Sequence, residues 1–94
     1  MERLSRPVSG GYFIEEHVIQ RSGEGYTGEA VERLARFENM LERLLKERDE
    51  TAAELERLRN EGKEKSVTFK QLLAKKLMNS NMLVMFEASG IKTE

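Results

Sequence analysis

Between Gly28 and Gly62 no glycine or proline interrupts the chain, and apolar residues return through that stretch at heptad spacing. Leu34, Leu41, Arg48 and Leu55 share one heptad position; Phe37, Leu44, Thr51 and Leu58 share the other. Val31, Leu45 and Ala52 widen the stripe. The spacing predicts one long helix over 28–61 that must lie against other helices. Thr27 is the expected N-cap, with Glu29 and Glu32 at the positive end of the helix dipole and Tyr26 stapled on Val31. Glu29–Arg33, Glu32–Arg36 and Glu42–Lys46 each put an acid four residues before a base, the favourable order. Gly62 suits the left-handed residue after the last turn.

A connection over 60–67 leads to a second helix, expected over 68–89 with its regular part at 69–88. Thr68 and Gln71 have capping-box spacing, Val67 and Leu72 staple spacing. Gly90 fits the C′ position, and Ile91 after it is expected to touch Phe86. At ~1.5 Å per residue the first helix is about 50 Å long and the second about 30 Å, so a simple hairpin leaves several turns of stripe uncovered. Met82, Leu83, Val84, Met85 and Phe86 leave no polar face between them. One neighbouring helix cannot bury such a segment. The expectation is a homo-oligomer with Leu41, Leu44, Arg48, Leu55, Met82, Leu83 and Phe86 at the interface. Arg48 and Thr51 interrupt the seam. They read either as a register-setting layer, with Arg48 paired to another chain's carboxylate, or as a polar layer facing a ligand. Asn79, Ser80 and Asn81 form a polar insert in the second helix, which bends it, makes a buried cluster at the oligomer centre or contacts the sugar or base of a ligand; whether the helix is continuous through them is left open.

Ninety-four residues allow one small domain, here 1–94. The fold class expected is mainly α: a short β segment, a long helix and a shorter one, forming an oligomeric helical bundle. With a net charge of −1, neither a basic nucleic-acid face nor strong DNA mimicry is indicated. The lysines at 63, 65, 70, 75 and 76 read as a solvated face. There are no cysteines, which excludes disulfides and thiolate metal sites. No apolar signal core or membrane span is visible, and a cytoplasmic protein is the default.

Residues 1–27 hold the only proline, both tyrosines and Gly10, Gly11, Gly23 and Gly25. The stretch 12–20, "YFIEEHVIQ", predicts a strand or a short hairpin turning at Glu15-Glu16. It is followed by "RSGEGYTGE", residues 21–29. The ordinary reading is a turn that lets the helix begin. The functional reading is an anion site on free backbone N–H groups, with Arg21 adding charge and Tyr12, Phe13 or Tyr26 stacking on a base. The residues of that site are Tyr12, Phe13, Arg21, Gly25, Tyr26, Thr27 and Gly28. The stretch is neither a Walker loop nor a dinucleotide fingerprint, and Glu24 inside it repels phosphate. His17, the only histidine, has no zinc-ligand context. No nucleophile–base–orienter set can be assembled, so no enzymatic activity, cofactor or metal is expected.

"MERL" at the start and "EAVERLARFE", residues 29–38, resemble small frames of phages and prophages of Gram-positive bacteria; "GKEKSVTFKQLLAKKL", residues 62–77, is similar to a second block of such frames. Together these cover about a third of the chain. The resemblance implies a phage accessory protein that antagonises host defence. It would do so as an oligomer that soaks up a nucleotide-like immune signal, or as an inhibitor that binds a host or phage protein directly, as anti-CRISPR proteins do. No ligand motif of such a family is present, so the resemblance carries no site residue over.

Overall fold

A computed structural model describes residues 1–93. The chain is mainly helical, with short β-hairpins at its N-terminus followed by a long and a shorter helix. The strands are β1 (Ser5–Val8), β2 (Gly11–Ile14), β3 (Gln20–Ser22) and β4 (Gly25–Thr27); the helices are α1 (Glu29–Asn60) and α2 (Val67–Ala88). Within the span read as one domain, packing gathers into two compact units, one from Met1 to Asn39 and the other from Met40 onward.

In the first unit, β1 pairs antiparallel with β2 and β3 with β4, as two separate two-stranded sheets. The expected turn at Glu15-Glu16 is not there. Ser9-Gly10 closes the first hairpin, and Gly10 supplies the positive φ, 85°, that the second central position of a type II turn requires. Gly23-Glu24 closes the second hairpin, with φ 59° at Gly23, as the first central position of a type II′ turn needs. Glu16–Val18 instead forms one turn of 3-10 helix whose Val18 is buried. Thr27 is not the cap of α1 either, because it is the last residue of β4. The first helical bond runs from the N–H of Glu32 to the carbonyl of Gly28, at 3.0 Å. Gly28 therefore stands where the helix begins.

In the second unit, two apolar clusters join α1 and α2. Leu41 and Leu44 meet Leu83, with Leu45, Met82, Phe86 and Ile91 around them. Leu55 and Leu58 meet Phe69, with Leu72 beside them. The early part of this α1 segment thus packs on the late part of α2, so the two helices run antiparallel. Both ends were legible as glycine caps. Gly62 N–H donates to Arg59 O at 3.0 Å and Lys63 N–H to Leu58 O at 2.8 Å; Gly90 N–H donates to Glu87 O at 3.0 Å and Ile91 N–H to Phe86 O at 3.1 Å. Each is the paired 5→2 and 6→1 pattern of a Schellman motif. On the surface, Arg57 bridges Glu54 and Glu61. Its hydrogen bond to Glu54 holds that carboxyl below the ordinary range.

The start of α2 differs from expectation. Ser66, not Thr68, is the N-cap: its Oγ accepts from Phe69 N–H at 3.1 Å and donates to Lys63 O at 2.7 Å. Val67 is exposed and makes no staple. Ser66→Ala is expected to cost about 1 kcal/mol in chemical denaturation, while Thr68→Ala stays within about 0.5 kcal/mol of the parent. A larger loss at Thr68 would move the cap back.

Arg48 does not enter the seam. Within the chain it is exposed and pairs with its neighbour Asp49 at 3.1 Å. Thr51 is buried, and so is Asn79, at 4% exposure. Helix α2 is continuous through Asn79, Ser80 and Asn81. Along their helices Thr51 and Asn79 fall between the two apolar clusters. Among the described residues Asn79 Nδ2 has no hydrogen-bond partner. A buried amide left unpaired costs about 1–3 kcal/mol. Asn79→Leu is accordingly expected to raise the denaturation midpoint by the equivalent of about 1–2 kcal/mol. A lowered midpoint would mean that the amide is satisfied in solution.

Candidate functional site

The first hairpin separates two of the aromatic candidates. Successive strand residues point to opposite faces, so Tyr12 and Phe13 cannot serve one pocket together. Phe13 lies opposite Arg6, whose Cζ sits 4.8 Å from the ring centroid. Arg6 also pairs with Glu15 at 3.1 Å. Tyr12 lies opposite Pro7 and is 74% exposed.

The second hairpin brings the other candidates together. Arg21 on β3 is directly opposite Tyr26 on β4, Ser22 is opposite Gly25 and Gln20 is opposite Thr27. Directly opposed residues share a face, so the Arg21 guanidinium and the Tyr26 ring rise from the same side of the hairpin. Tyr26 is 56% exposed and Arg21 is exposed. The stretch Gly25–Thr27 is a strand, not an open loop wrapped for a phosphate. Two of its flanking glycines have conformational tasks: Gly23 makes the turn, and Gly28, at φ 120°, lets the backbone of Val18 and Ile19 come close.

The seven expected ligand residues are thus divided between two hairpins. Arg21, Gly25, Tyr26, Thr27 and Gly28 lie on or beside the second; Tyr12 and Phe13 lie on the first. His17 is exposed in the 3-10 turn. No cluster of metal-ligand residues occurs among the described residues.

The first unit also has a feature that sequence reasoning missed. Leu4, Ile14, Ile19, Val31, Leu34 and Phe37 line an open apolar groove of about 680 Å³, together with Met1, Arg3 and Arg33. Arg33 donates to the carbonyl of Glu2 at 2.6 Å and pairs with Glu29 at 3.7 Å. Arg3 donates to the carbonyl of Ser5 at 3.0 Å. The one available signal was that Val31, Leu34 and Phe37 carry the apolar stripe into the first turns of α1, a part the shorter second helix was expected to leave uncovered.

The residues expected at a chain–chain interface are placed as follows. Leu41, Leu44, Leu55 and Leu83 are covered within one chain, Met82 and Phe86 are half-buried against the same core, and Arg48 is exposed. Among the described residues no helix is long and apolar enough to cross a membrane. Compared with family models, curated proteins and solved structures, the chain matches none.

Proposed function

We propose that this protein is a non-catalytic, self-associating binding protein whose second hairpin captures a small anionic, ring-bearing ligand of nucleotide type. The observation that carries this reading is the cross-strand pair of Arg21 and Tyr26 on one exposed face. A guanidinium offers fixed donors to a phosphate, and a phenol ring offers a stacking surface to a base. Glu24 in the adjoining turn opposes an anion there, so the favourable charge rests on Arg21. Self-association would close this exposed face into a pocket, since ligand sites commonly form between packed surfaces. The resemblance of residues 29–38 and 62–77 to phage frames supports a setting in the cytoplasm of an infected cell, where the ligand would be an immune signal.

Calorimetry with cyclic dinucleotides and ADP-ribose derivatives tests the reading. A charge-assisted contact is worth about 1.5–3 kcal/mol and a stacked base about 1–3 kcal/mol. Arg21→Ala and Tyr26→Ala are each expected to weaken binding about tenfold or more, with the oligomer intact. Absence of binding by every such compound, or equal binding by both variants, would remove the ligand reading.

A second reading follows from the groove. An apolar trough lined by Leu34 and Phe37 suits a protein segment better than a nucleotide. In that reading the protein inhibits a host or phage protein directly. Leu34→Asp would then abolish capture of the target, whereas Arg21→Ala would not.

A further inference from the structure

The outward side of α2 carries a heptad of its own. Ala74, Asn81 and Ala88 recur at one position, and Leu77 and Val84 stand three residues after the first two. Leu73, Met78 and Met85 flank them. At 100° per residue, this arc lies opposite the side on which Phe69, Asn79 and Leu83 are buried. Leu77, Met78, Val84 and Met85 are each 60% or more exposed. From Gln71 to Phe86 the only charged residues are Lys75 and Lys76, and both project away from the arc. The apolar surface involved is on the order of 600 Å², as large as the biggest patch a monomer ordinarily leaves to water.

We infer that this face is covered by the same face of a second copy, running parallel and in register, with the two Asn81 amides paired across the axis. Three observations select that occupant. First, the area on two copies together reaches the lower end of what stable pairs bury, roughly 1,200 Å² in all. Second, Asn81 is the single amide at a central position of the seam. A side-chain amide carries both a donor and an acceptor, so it satisfies a copy of itself. The parallel, in-register arrangement puts Asn81 against Asn81 and every other layer against itself; antiparallel packing that alternates the two heptad positions sets Asn81 against Leu77, and an antiparallel pairing centred on Asn81 leaves Leu77 and Val84 one residue out of step. A lone asparagine at such a position is a known device for fixing register and chain number. Third, Ala74 and Ala88 bracket Asn81 at the same position, and their small side chains let two helices approach closely. The seam spans only two heptads, but α2 is already held by α1 and does not have to fold as an isolated coiled coil.

This inference rests on the self-association in the proposed function and is independent of the ligand. The absence of cysteine from the chain makes a single introduced cysteine a clean reporter. In the full-length protein, Ala74→Cys alone is expected to give a covalent dimer under mild oxidation, because in-register partners meet within disulfide range. Sedimentation at micromolar concentration is expected to show wild type as a dimer or an even multiple of it. Leu77→Asp with Val84→Asp is expected to lower that mass with helical circular dichroism retained. A monomeric wild type would overturn both the inference and the self-association reading. An oligomeric wild type whose mass survives the double substitution would overturn this face alone. Should the double variant unfold, the cysteine still decides. Cross-linking only when Ala74→Cys is mixed with Val84→Cys or with Ala88→Cys would overturn the parallel arrangement.

Discussion

Gly28→Ala is expected to dismantle the N-terminal unit while leaving the helical hairpin folded. Gly28 has φ 120°, a conformation that L side chains rarely adopt. A Cβ there would stand 2.8 Å from the carbonyl oxygen of Val18 and 3.1 Å from Ile19 Cα. Both obstacles are backbone, so no rotamer change relieves them. The left-handed conformation alone costs about 1–2 kcal/mol. With the clash the total should reach about 3 kcal/mol or more, in the range of strained backbone sites. A unit of this size has little stability in reserve. Hydrogen exchange is the suitable measurement. Protection should be lost over the hairpin strands and kept at Phe69 and Leu83. Gly23→Ala is the comparison, since nothing lies within 4 Å of its added Cβ. It should cost only the conformational part. Equal protection in Gly28→Ala and wild type would show that the helix start differs in solution.

Leu83→Ala is expected to destabilise the second unit by about 2–5 kcal/mol, and Leu77→Ala by less than about 1 kcal/mol within a single chain. The two leucines are six residues apart on the same helix. Leu83 is 5% exposed and packs on Leu41 and Leu44; Leu77 is 60% exposed. Truncating the first leaves a cavity between two helices. Truncating the second removes surface that only another chain could cover. Urea denaturation at several protein concentrations separates these effects. The Leu83 loss should not depend on concentration, and any Leu77 loss should grow with it. Equal, concentration-independent losses would mean that both faces are buried within one chain.

What was legible in the sequence follows from how far each signal repeats. The α1 stripe returns over several turns, and Leu41, Leu44, Leu55 and Leu58 are buried as the heptad requires. Gly62 and Gly90 were readable because a left-handed C′ residue has few chemical solutions. The start of α2 was ambiguous: Ser66 and Thr68 both carry hydroxyls, and only Thr68 has a glutamine at capping-box spacing. Ser66 prevails because its hydroxyl also closes the turn at Lys63, which leaves Phe69 facing the core. A β segment was expected, but the number and place of the hairpins escaped because strands of three or four residues leave almost no periodic trace. Their turns are set by Gly10 and Gly23, not by the acidic pair Glu15-Glu16. For the candidate site, the residue types were visible but not their pairing. Arg21 and Tyr26 become opposed only once the Gly23-Glu24 turn fixes the register, and the same geometry sets Tyr12 and Phe13 apart. The groove was not legible, because its lining comes from β-hairpin, connecting segment and helix at once.

Native mass spectrometry tests the functional reading most directly. The protein is expressed in infected, defence-positive cells, purified, and weighed without denaturation beside Arg21→Ala prepared in the same way. Wild type is expected to retain a small-molecule mass, and the variant, with the same number of chains, is expected to retain none. Retention of a host or phage protein by both, with no small mass in either, would contradict it and assign the function to the apolar groove.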